Sequence, residues 1–341
     1  MPIFPSALPT PRTPDPMDAP SLRWGVLGTG WIAERFVRSV VRNTRQRFVA
    51  VASRDSERAK TFADRHSIPQ SYGSYEELAT SGDVDVVYVA TDHIAHLDCA
   101  KLALNNGKHA LIEKPLALNA IQATEIAELA ADRGLFCAEA LWTLFLPKFD
   151  IVRQLLESGV LGETRTVIAE LGEYFAPDHR IFRRELAGGP LLDLGTYPVC
   201  LATWILGAPA EVLAFGQPHH KGINGQISAI LLDTIGNQAT IHTTLFNDIP
   251  SAASVVGTRA TLSLPGPFFQ PGEIVLSPAG GSTPLTYSEP RIAHDGLYFE
   301  AAEVARCIAA GELQTPLRPL EDSIIMLRTM DSIREMCGIT F

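Results

Sequence analysis

Residues 23–33, Arg-Trp-Gly-Val-Leu-Gly-Thr-Gly-Trp-Ile-Ala, constrain the fold of this chain more than any other stretch. A short apolar run ends in Gly28-x-Gly30-x-x-Ala33, and a helical pattern of Glu34, Arg35, Phe36 and Val37 comes next. Strand, glycine turn and helix, in that order, make the phosphate-binding turn of a dinucleotide-binding βαβ unit. Gly28 permits the tight turn, Gly30 lets a pyrophosphate approach the backbone, and Ala33 lets the helix pack closely on the strand. The helix start around Trp31 and Ile32, just past Thr29, then offers free N–H groups and a positive dipole end to the phosphates. The same spacing also suits a plain strand–turn–helix packed through small residues, so the assignment leans on the pattern of the next hundred or so residues.

That pattern is a regular alternation. Strand-like runs at Arg23–Leu27, Arg47–Ser53, Val84–Ala90, His109–Glu113 and Leu135–Ala140 are separated by helical patterns at Ser56–His66, His96–Asn106 and Asn119–Arg133. Ser74 reads as the N-cap of a further short helix. The run Val-Asp-Val-Val-Tyr-Val-Ala is almost wholly apolar, as expected of a strand covered on both faces. Alternation at this spacing predicts parallel strands joined by right-handed crossovers. After Leu141 the rhythm changes. A helix at Lys148–Ser158 leads into strand-like runs at Thr164–Glu173, Glu211–Gln217, Gln226–Asp233, Gln238–Leu245, Ser254–Leu264 and Glu273–Leu276. The helical stretch Tyr197–Leu206 interrupts them, and helical patterns at Gly296–Ala310 and Leu320–Cys337 close the chain. The expected fold class is α/β: an N-terminal Rossmann domain with a parallel sheet, then a C-terminal α+β domain with a large, open, mostly antiparallel sheet.

A chain of 341 residues is too long for one ordinary core. The boundaries expected are a proline-rich disordered tail over 1–20, the dinucleotide-binding domain over 21–140, and a substrate-binding and dimerisation domain over 141–341. Pro2, Pro5, Pro9, Pro11, Pro14, Pro16 and Pro20 deny the tail a ladder or a helix. The tail lacks the basic start and apolar middle of a signal peptide, and Met17 is a candidate alternative start that mass spectrometry of the native N-terminus would decide. The net charge of −10, with no run of Lys or Arg, argues against a nucleic-acid surface. No apolar stretch approaches the roughly 20 residues that span a bilayer. Cys99, Cys137, Cys200, Cys307 and Cys337 are scattered and without metal-site spacing, which suits reduced core residues of a cytoplasmic protein.

The end of the second strand indicates which nicotinamide cofactor is used. An NAD-selective site places Asp or Glu there to accept from the ribose 2′-hydroxyl. This chain reads Ala52-Ser53-Arg54-Asp55. Ser53 can donate to a 2′-phosphate, and Arg54 can stack on adenine and pair with that phosphate. The reading is therefore NADP; Asp55, one residue further on, keeps NAD open. Thr91, His93 and His96 come after the third strand and are candidates for the cofactor's ribose, although a histidine that starts a helix is as often merely solvated.

The fourth strand runs into Glu113-Lys114-Pro115, which aims a lysine into the crevice at the carboxyl ends of the strands. Together with the glycine turn, and with Ala187-Gly188-Gly189-Pro190-Leu191-Leu192-Asp193-Leu194-Gly195-Thr196-Tyr197 downstream, it resembles the signature of the Gfo/Idh/MocA oxidoreductase family. Glu139-Ala140-Leu141-Trp142, Phe145 and Pro147 resemble that family's segment at the domain junction. Many members carry histidine where this chain has Tyr197. That departure is similar to the branch containing glucose–fructose oxidoreductase, dimeric dihydrodiol dehydrogenase and NADP-dependent D-xylose 1-dehydrogenase. The ending from Ile333 to Phe341 resembles the dihydrodiol dehydrogenase group.

The resemblance implies a catalytic set of Lys114, Asp193 and Tyr197, with Glu113 and Lys114 also beside the cofactor. Oxidation of an alcohol removes a proton as hydride leaves. A tyrosine with an ordinary pKa near 10 is a poor base at neutral pH, and a neighbouring ammonium lowers that pKa by favouring the phenolate. On one helix Asp193 and Tyr197 would lie at i and i+4 and share a face, with Asp193 holding a substrate hydroxyl or Lys114; without the resemblance, Asp193 reads as an N-cap. Trp142, Phe145 and Asp178 are candidates for contacting substrate. His219 and His220 read as a solvated turn, and no metal site is expected. The implied activity is NADP-dependent hydride transfer at a carbinol of a sugar or cyclic polyol. An aldose such as D-xylose, oxidised at C1 to the lactone, leads; a trans-dihydrodiol or a keto-sugar reduced in reverse comes second. The competing class is a non-catalytic NADP sensor, whose mark would be loss of one of those three residues. An exposed apolar sheet face in the second domain predicts a homodimer or dimer of dimers.

Overall fold

The computed structural model describes residues 4–219, 221–281, 283–290 and 296–340; His220 and Phe341 lie outside these. In chain order the first elements are β1 (Arg23–Leu27), α1 (Trp31–Asn43), β2 (Arg47–Ala52), α2 (Ser56–His66), β3 (Gln70–Tyr72), α3 (Tyr75–Ala79), β4 (Val86–Val89), α4 (His96–Asn105), β5 (His109–Glu113), α5 (Ala120–Arg133) and β6 (Cys137–Ala140). They are followed by α6 (Pro147–Glu157), β7 (Thr164–Gly172), α7 (Pro190–Asp193), α8 (Thr196–Leu206), β8 (Glu211–Pro218), β9 (Asn224–Leu232) and β10 (Gln238–Thr244). The last are β11 (Ala253–Gly257), β12 (Ala260–Leu264), β13 (Glu273–Pro278), β14 (Leu285–Ser288), α9 (Leu297–Ala309) and α10 (Leu320–Met336).

The chain divides into two compact units. The first is Pro14–Phe145 with His294–Ile324. Its six-stranded sheet has the order β3-β2-β1-β4-β5-β6, and every neighbouring pair is parallel. β4 is buried along its whole length, which explains why its sequence does not alternate. Trp24 is fully buried and donates from its indole to Gln46 at 3.0 Å, so the one polar atom of a large core ring is satisfied. Phe36 of α1 stacks on Tyr88 of β4 with centroids 3.8 Å apart. Sequence order alone assigns residues 294–324 to the second domain; they group with this unit because α9 packs against α1.

The second unit is Met1–Thr13, Leu146–Ala293 and Ile325–Phe341. Its eight-stranded sheet runs β14-β13-β12-β11-β7-β10-β9-β8. All pairs are antiparallel except β7 with β10, so the expected architecture of both units is present. The buried members of β9 and β10 alternate, Ile227, Ala229 and Leu231 against Ala239 and Ile241. α8 packs on this face, against β7 and β10.

The segment read from its prolines as a mobile tail makes specific contacts. Arg12 pairs with Asp150 at 2.8 Å and also donates its backbone N–H to that carboxylate at 2.6 Å. Ala19 is 3 % exposed and packs with Ala302 and Ala305 of α9. Arg306 donates to the carbonyl of Asp15 at 2.8 Å. Proline removes donors but leaves every carbonyl able to accept, and this stretch is held through carbonyls and side chains rather than a ladder.

α9 also brings in Glu300, whose carboxyl is fully buried with no hydrogen bond to either oxygen. Burial, and then the charges of Glu113 and Glu139, hold its pKa well above the ordinary glutamate range. The folded chain therefore binds this proton more tightly than the unfolded chain. The associated stability is complete below the unfolded value of about 4.3 and is lost as pH rises through the raised native value. Glu300→Gln should flatten this dependence, raising Tm relative to the parent at pH 8 more than at pH 5. Thermal melts at the two pH values check it; an unchanged difference would show that Glu300 stays ionised.

Candidate functional site

The glycine turn is shaped for a cofactor phosphate. Gly28 has φ 104° and donates its N–H to Ala52 at 2.9 Å, and a Cβ there would stand 2.4 Å from the carbonyl oxygen of Ala90. Only glycine fits. A Cβ on Gly30 would meet nothing within 4 Å, and Gly30 caps α1 without any side-chain hydrogen bond. The first N–H groups of a 13-residue helix thus begin beside open space. Thr29 Oγ1 is buried with no hydrogen-bond partner. Ala33 is fully buried, as close packing on β1 requires. Trp31 is 57 % exposed at the helix start, its ring 5.3 Å from the guanidinium of Arg35, and Ile32 is half-buried. A bare helix terminus, a glycine with no alternative and an orphaned hydroxyl fit a dinucleotide.

At the end of β2, Oδ1 of Asp55 caps α2, accepting from Glu57 at 3.0 Å and Arg58 at 3.2 Å. Ser53 is buried and Arg54 exposed. Beside Arg54 lies Tyr75 of α3, whose phenol is pushed up by burial and pulled back in part by Arg54.

After β4, the two histidines prove to be buried rather than solvated. His96 is fully buried, with Nδ1 2.8 Å from the Pro115 carbonyl and Nε2 3.2 Å from the Thr91 carbonyl. Burial lowers its pKa, and the two carbonyls pull it back in part; the ring lies between the turn after β4 and the turn after β5. His93 is 6 % exposed, its ring 5.7 Å from that of His96. Lys114 leaves the carboxyl end of β5. Its backbone N–H donates to Glu113 at 3.1 Å, and the Tyr88 hydroxyl donates to the other oxygen of that carboxylate. Trp142 and Phe145 sit in a 3-10 turn and are each 2 % exposed. Both are buried.

The second unit holds the other candidates. A Cβ on Gly188 would stand 2.5 Å from the Ile181 carbonyl oxygen, so the Gly188-Gly189 turn presses against residues 181–183. Pro190 then opens α7, and Asp193 closes it. Asp193 and Tyr197 therefore belong to successive helices, not one. Leu194 (φ −83°, ψ −43°) and Gly195 (φ −62°, ψ −21°) keep right-handed helical dihedrals between them. Asp193 is not the cap of α8, whose N-cap is Gly195. Its carboxylate accepts from Arg180 at 3.1 Å. Tyr197 is 8 % exposed, its ring 4.4 Å from Phe269. Asp178 is exposed in the loop before Arg180.

Sequence reasoning passed over several of these partners. Nothing in the spacing marked Tyr75 beside Arg54, or Arg180 beside Asp193. The one polar atom in the apolar run of β4, the Tyr88 hydroxyl, was a usable signal, because a buried hydroxyl needs a partner.

Comparison with known proteins agrees with this geometry. The profile of the Gfo/Idh/MocA oxidoreductase family, NAD-binding Rossmann fold, matches residues 22–140, and that family's C-terminal domain matches residues 149–263. The chain is 36 % identical over 330 residues to trans-1,2-dihydrobenzene-1,2-diol dehydrogenase of Bos taurus, covering 94 % of this chain and 98 % of that protein. The Xenopus tropicalis protein of the same name is 34 % identical, covering 94 % and 99 %. Among solved structures, KijD10, a 3-ketoreductase from Actinomadura kijaniata in complex with NADP and TDP-benzene, superposes with TM-score 0.81 at 26 % identity over 93 % of this chain and 98 % of that one. Among the described residues, no helix is long and apolar enough to cross a membrane. With both family domains present and a cradle that fits the cofactor, the chain belongs to the Gfo/Idh/MocA oxidoreductase family and is an NAD(P)-dependent dehydrogenase or reductase acting on a small molecule.

Proposed function

We propose that this enzyme uses NADP to oxidise a ring carbinol of a cyclic diol or polyol, with a trans-dihydrodiol as the first substrate to try and D-xylose, oxidised at C1, as the second. The observation that carries the reading is the likeness to dihydrodiol dehydrogenases along 94 % of the chain, joined to the presence of Lys114, Asp193 and Tyr197. The aldose reading rests on the same Tyr197, since the branch it resembles also contains an aldose dehydrogenase. A non-catalytic sensor would lack one of those three side chains.

The cofactor, when bound, supplies the hydride acceptor. Thr29, Gly30, Trp31 and Ile32 would hold its pyrophosphate through backbone N–H groups and the Thr29 hydroxyl, with Gly28 making the turn that lets it approach. Ser53 and Arg54 would take the 2′-phosphate, while Asp55 uses Oδ1 to cap α2. Thr91, His93 and His96 shape the floor after β4, and Glu113 fixes the backbone of Lys114. Tyr197 exchanges the proton of the carbinol oxygen, Lys114 supplies the positive charge that favours its phenolate, and Asp193 accepts from a substrate hydroxyl.

A homodimer completes the proposal. On the outer face of the second sheet Leu213 pairs across to Ile230, Ile230 to Thr240 and Thr240 to Ile168. Leu213 is 52 % exposed and Phe215 80 %. A second copy would cover this row, and sedimentation equilibrium would report it.

The test is formation of reduced cofactor from trans-dihydrodiols, cyclohexanediols, pentoses and hexoses, with NADP and NAD in parallel. Arg54→Ala should weaken NADP by roughly tenfold or more, the scale of a lost charge-assisted hydrogen bond, and weaken NAD less. Equal losses would place the phosphate elsewhere. Tight NADP binding with no turnover on any of these compounds would favour the sensor.

A further inference from the structure

Arg180 is held from several directions at once. It opens a 3-10 turn, Arg180–Phe182, which is capped by His179 as Nδ1 accepts from Ile181 at 3.2 Å. Ile181 is fully buried and Phe182 nearly so, which anchors the turn in the core. Gly189 donates to the Ile181 carbonyl at 2.7 Å and Gly188 to the Arg183 carbonyl at 3.0 Å, so the Arg180 turn is stitched to the loop that leads into α7. The guanidinium then meets Asp193 at 3.1 Å. Asp193 is 16 % exposed and Arg180 43 %, so the donors not used on Asp193 remain accessible. A surface ion pair worth little by itself would not need such anchoring.

An ionised carboxylate only accepts hydrogen bonds, and a guanidinium only donates them. Set side by side on a rigid turn, they offer an acceptor and a donor about one hydrogen-bond length apart. A hydroxyl on the carbon next to the reacting carbinol matches that pattern: it donates to the carboxylate and its oxygen accepts from the fork, which leaves the proton of the reacting hydroxyl to Tyr197. A compound without that second hydroxyl forms neither bond, which is how such sites reject analogues.

We infer that Arg180 and Asp193 form a reader of vicinal diols, in which Arg180 is the specificity-determining residue. The inference rests on the function proposed above and narrows its substrate class to carbinols flanked by a second hydroxyl. The pair admits both dihydrodiols and aldoses, and disfavours isolated secondary alcohols and 2-deoxy sugars.

The experiment compares two matched pairs, trans-cyclohexane-1,2-diol with cyclohexanol and D-glucose with 2-deoxy-D-glucose, on the parent enzyme, Arg180→Ala and Arg180→Lys. The parent should prefer the vicinal member of each pair. Arg180→Ala should cut kcat/KM for the vicinal member roughly 10- to 100-fold, the scale of a lost hydrogen bond to a charged group, with most of the loss in KM. It should change the member lacking the second hydroxyl by no more than about twofold. Arg180→Lys should recover part of the loss, since it restores a cation without the planar fork. Equal losses on both members would make Arg180 a structural prop and overturn the inference, as would a parent enzyme indifferent to the second hydroxyl. If the parent turns over neither pair and no dihydrodiol, the functional reading fails and this inference fails with it.

Discussion

Lys114→Ala is expected to lower kcat by roughly 10²–10⁴, the range that positioned proton transfer contributes, while the dissociation constant for NADP stays close to that of the parent. The expectation comes from where the residue begins and ends. Its backbone is fixed by β5 and by the N–H donated to Glu113, which the Tyr88 hydroxyl holds in turn. Truncation therefore removes an ammonium without releasing the turn. The phosphate cradle around Gly28 and Gly30 does not involve that side chain, so binding should survive. In the proposed mechanism the Tyr197 phenol then reverts toward its ordinary pKa near 10, and the residual activity should rise with pH. Steady-state rates across pH 6–10 with fluorescence titration of the cofactor would check both parts. Retained turnover at neutral pH would exclude Lys114 from the proton chemistry.

The cofactor half of this protein was legible in its sequence, and the reason is local. A glycine turn, the strand before it and the helix after it are contiguous, and Gly28 is dictated by a carbonyl it nearly touches. Asp193 and Tyr197 were singled out by motif; the turn at Leu194 and Gly195 divides the expected shared helix in two while keeping helical dihedrals. Trp142 and Phe145 illustrate a different limit: an aromatic pair beside a site motif reads the same in sequence whether it faces a ligand or the core, and the structure adds that both are buried. Long-range partners were invisible. Arg180 with Asp193, and α9 with α1, depend on how the chain returns upon itself. No period or spacing encodes that. The proline-rich start misled for a related reason, because composition reports the missing N–H groups but not the carbonyls and the Arg12 side chain that secure it.

The largest loss of stability should come from a charge whose partners no motif or spacing singles out. Glu139, on β6, and Arg318 are both fully buried and paired at 2.7 Å. Glu139 also accepts from Ser323 at 2.7 Å and from the backbone N–H of Leu116 at 2.9 Å. One carboxylate thus ties β6 to the segment leading into α10 and to the turn after Lys114. Such a pair is weak evidence for net stability when intact, since desolvation offsets much of the attraction. Breaking it is another matter. Glu139→Leu takes from the Arg318 guanidinium the carboxylate it pairs with, and from a serine and an amide the same acceptor, all of them buried. The expected cost is about 3–5 kcal/mol, a large share of the stability of an ordinary domain. Replacing both partners, Glu139→Leu with Arg318→Met, should recover most of it, because no charge is then stranded. Urea denaturation of the two variants beside the parent separates the cases. If the single variant unfolds at the parent's midpoint, Arg318 reaches solvent or another acceptor; if the double variant is as unstable as the single, the loss is one of packing rather than charge.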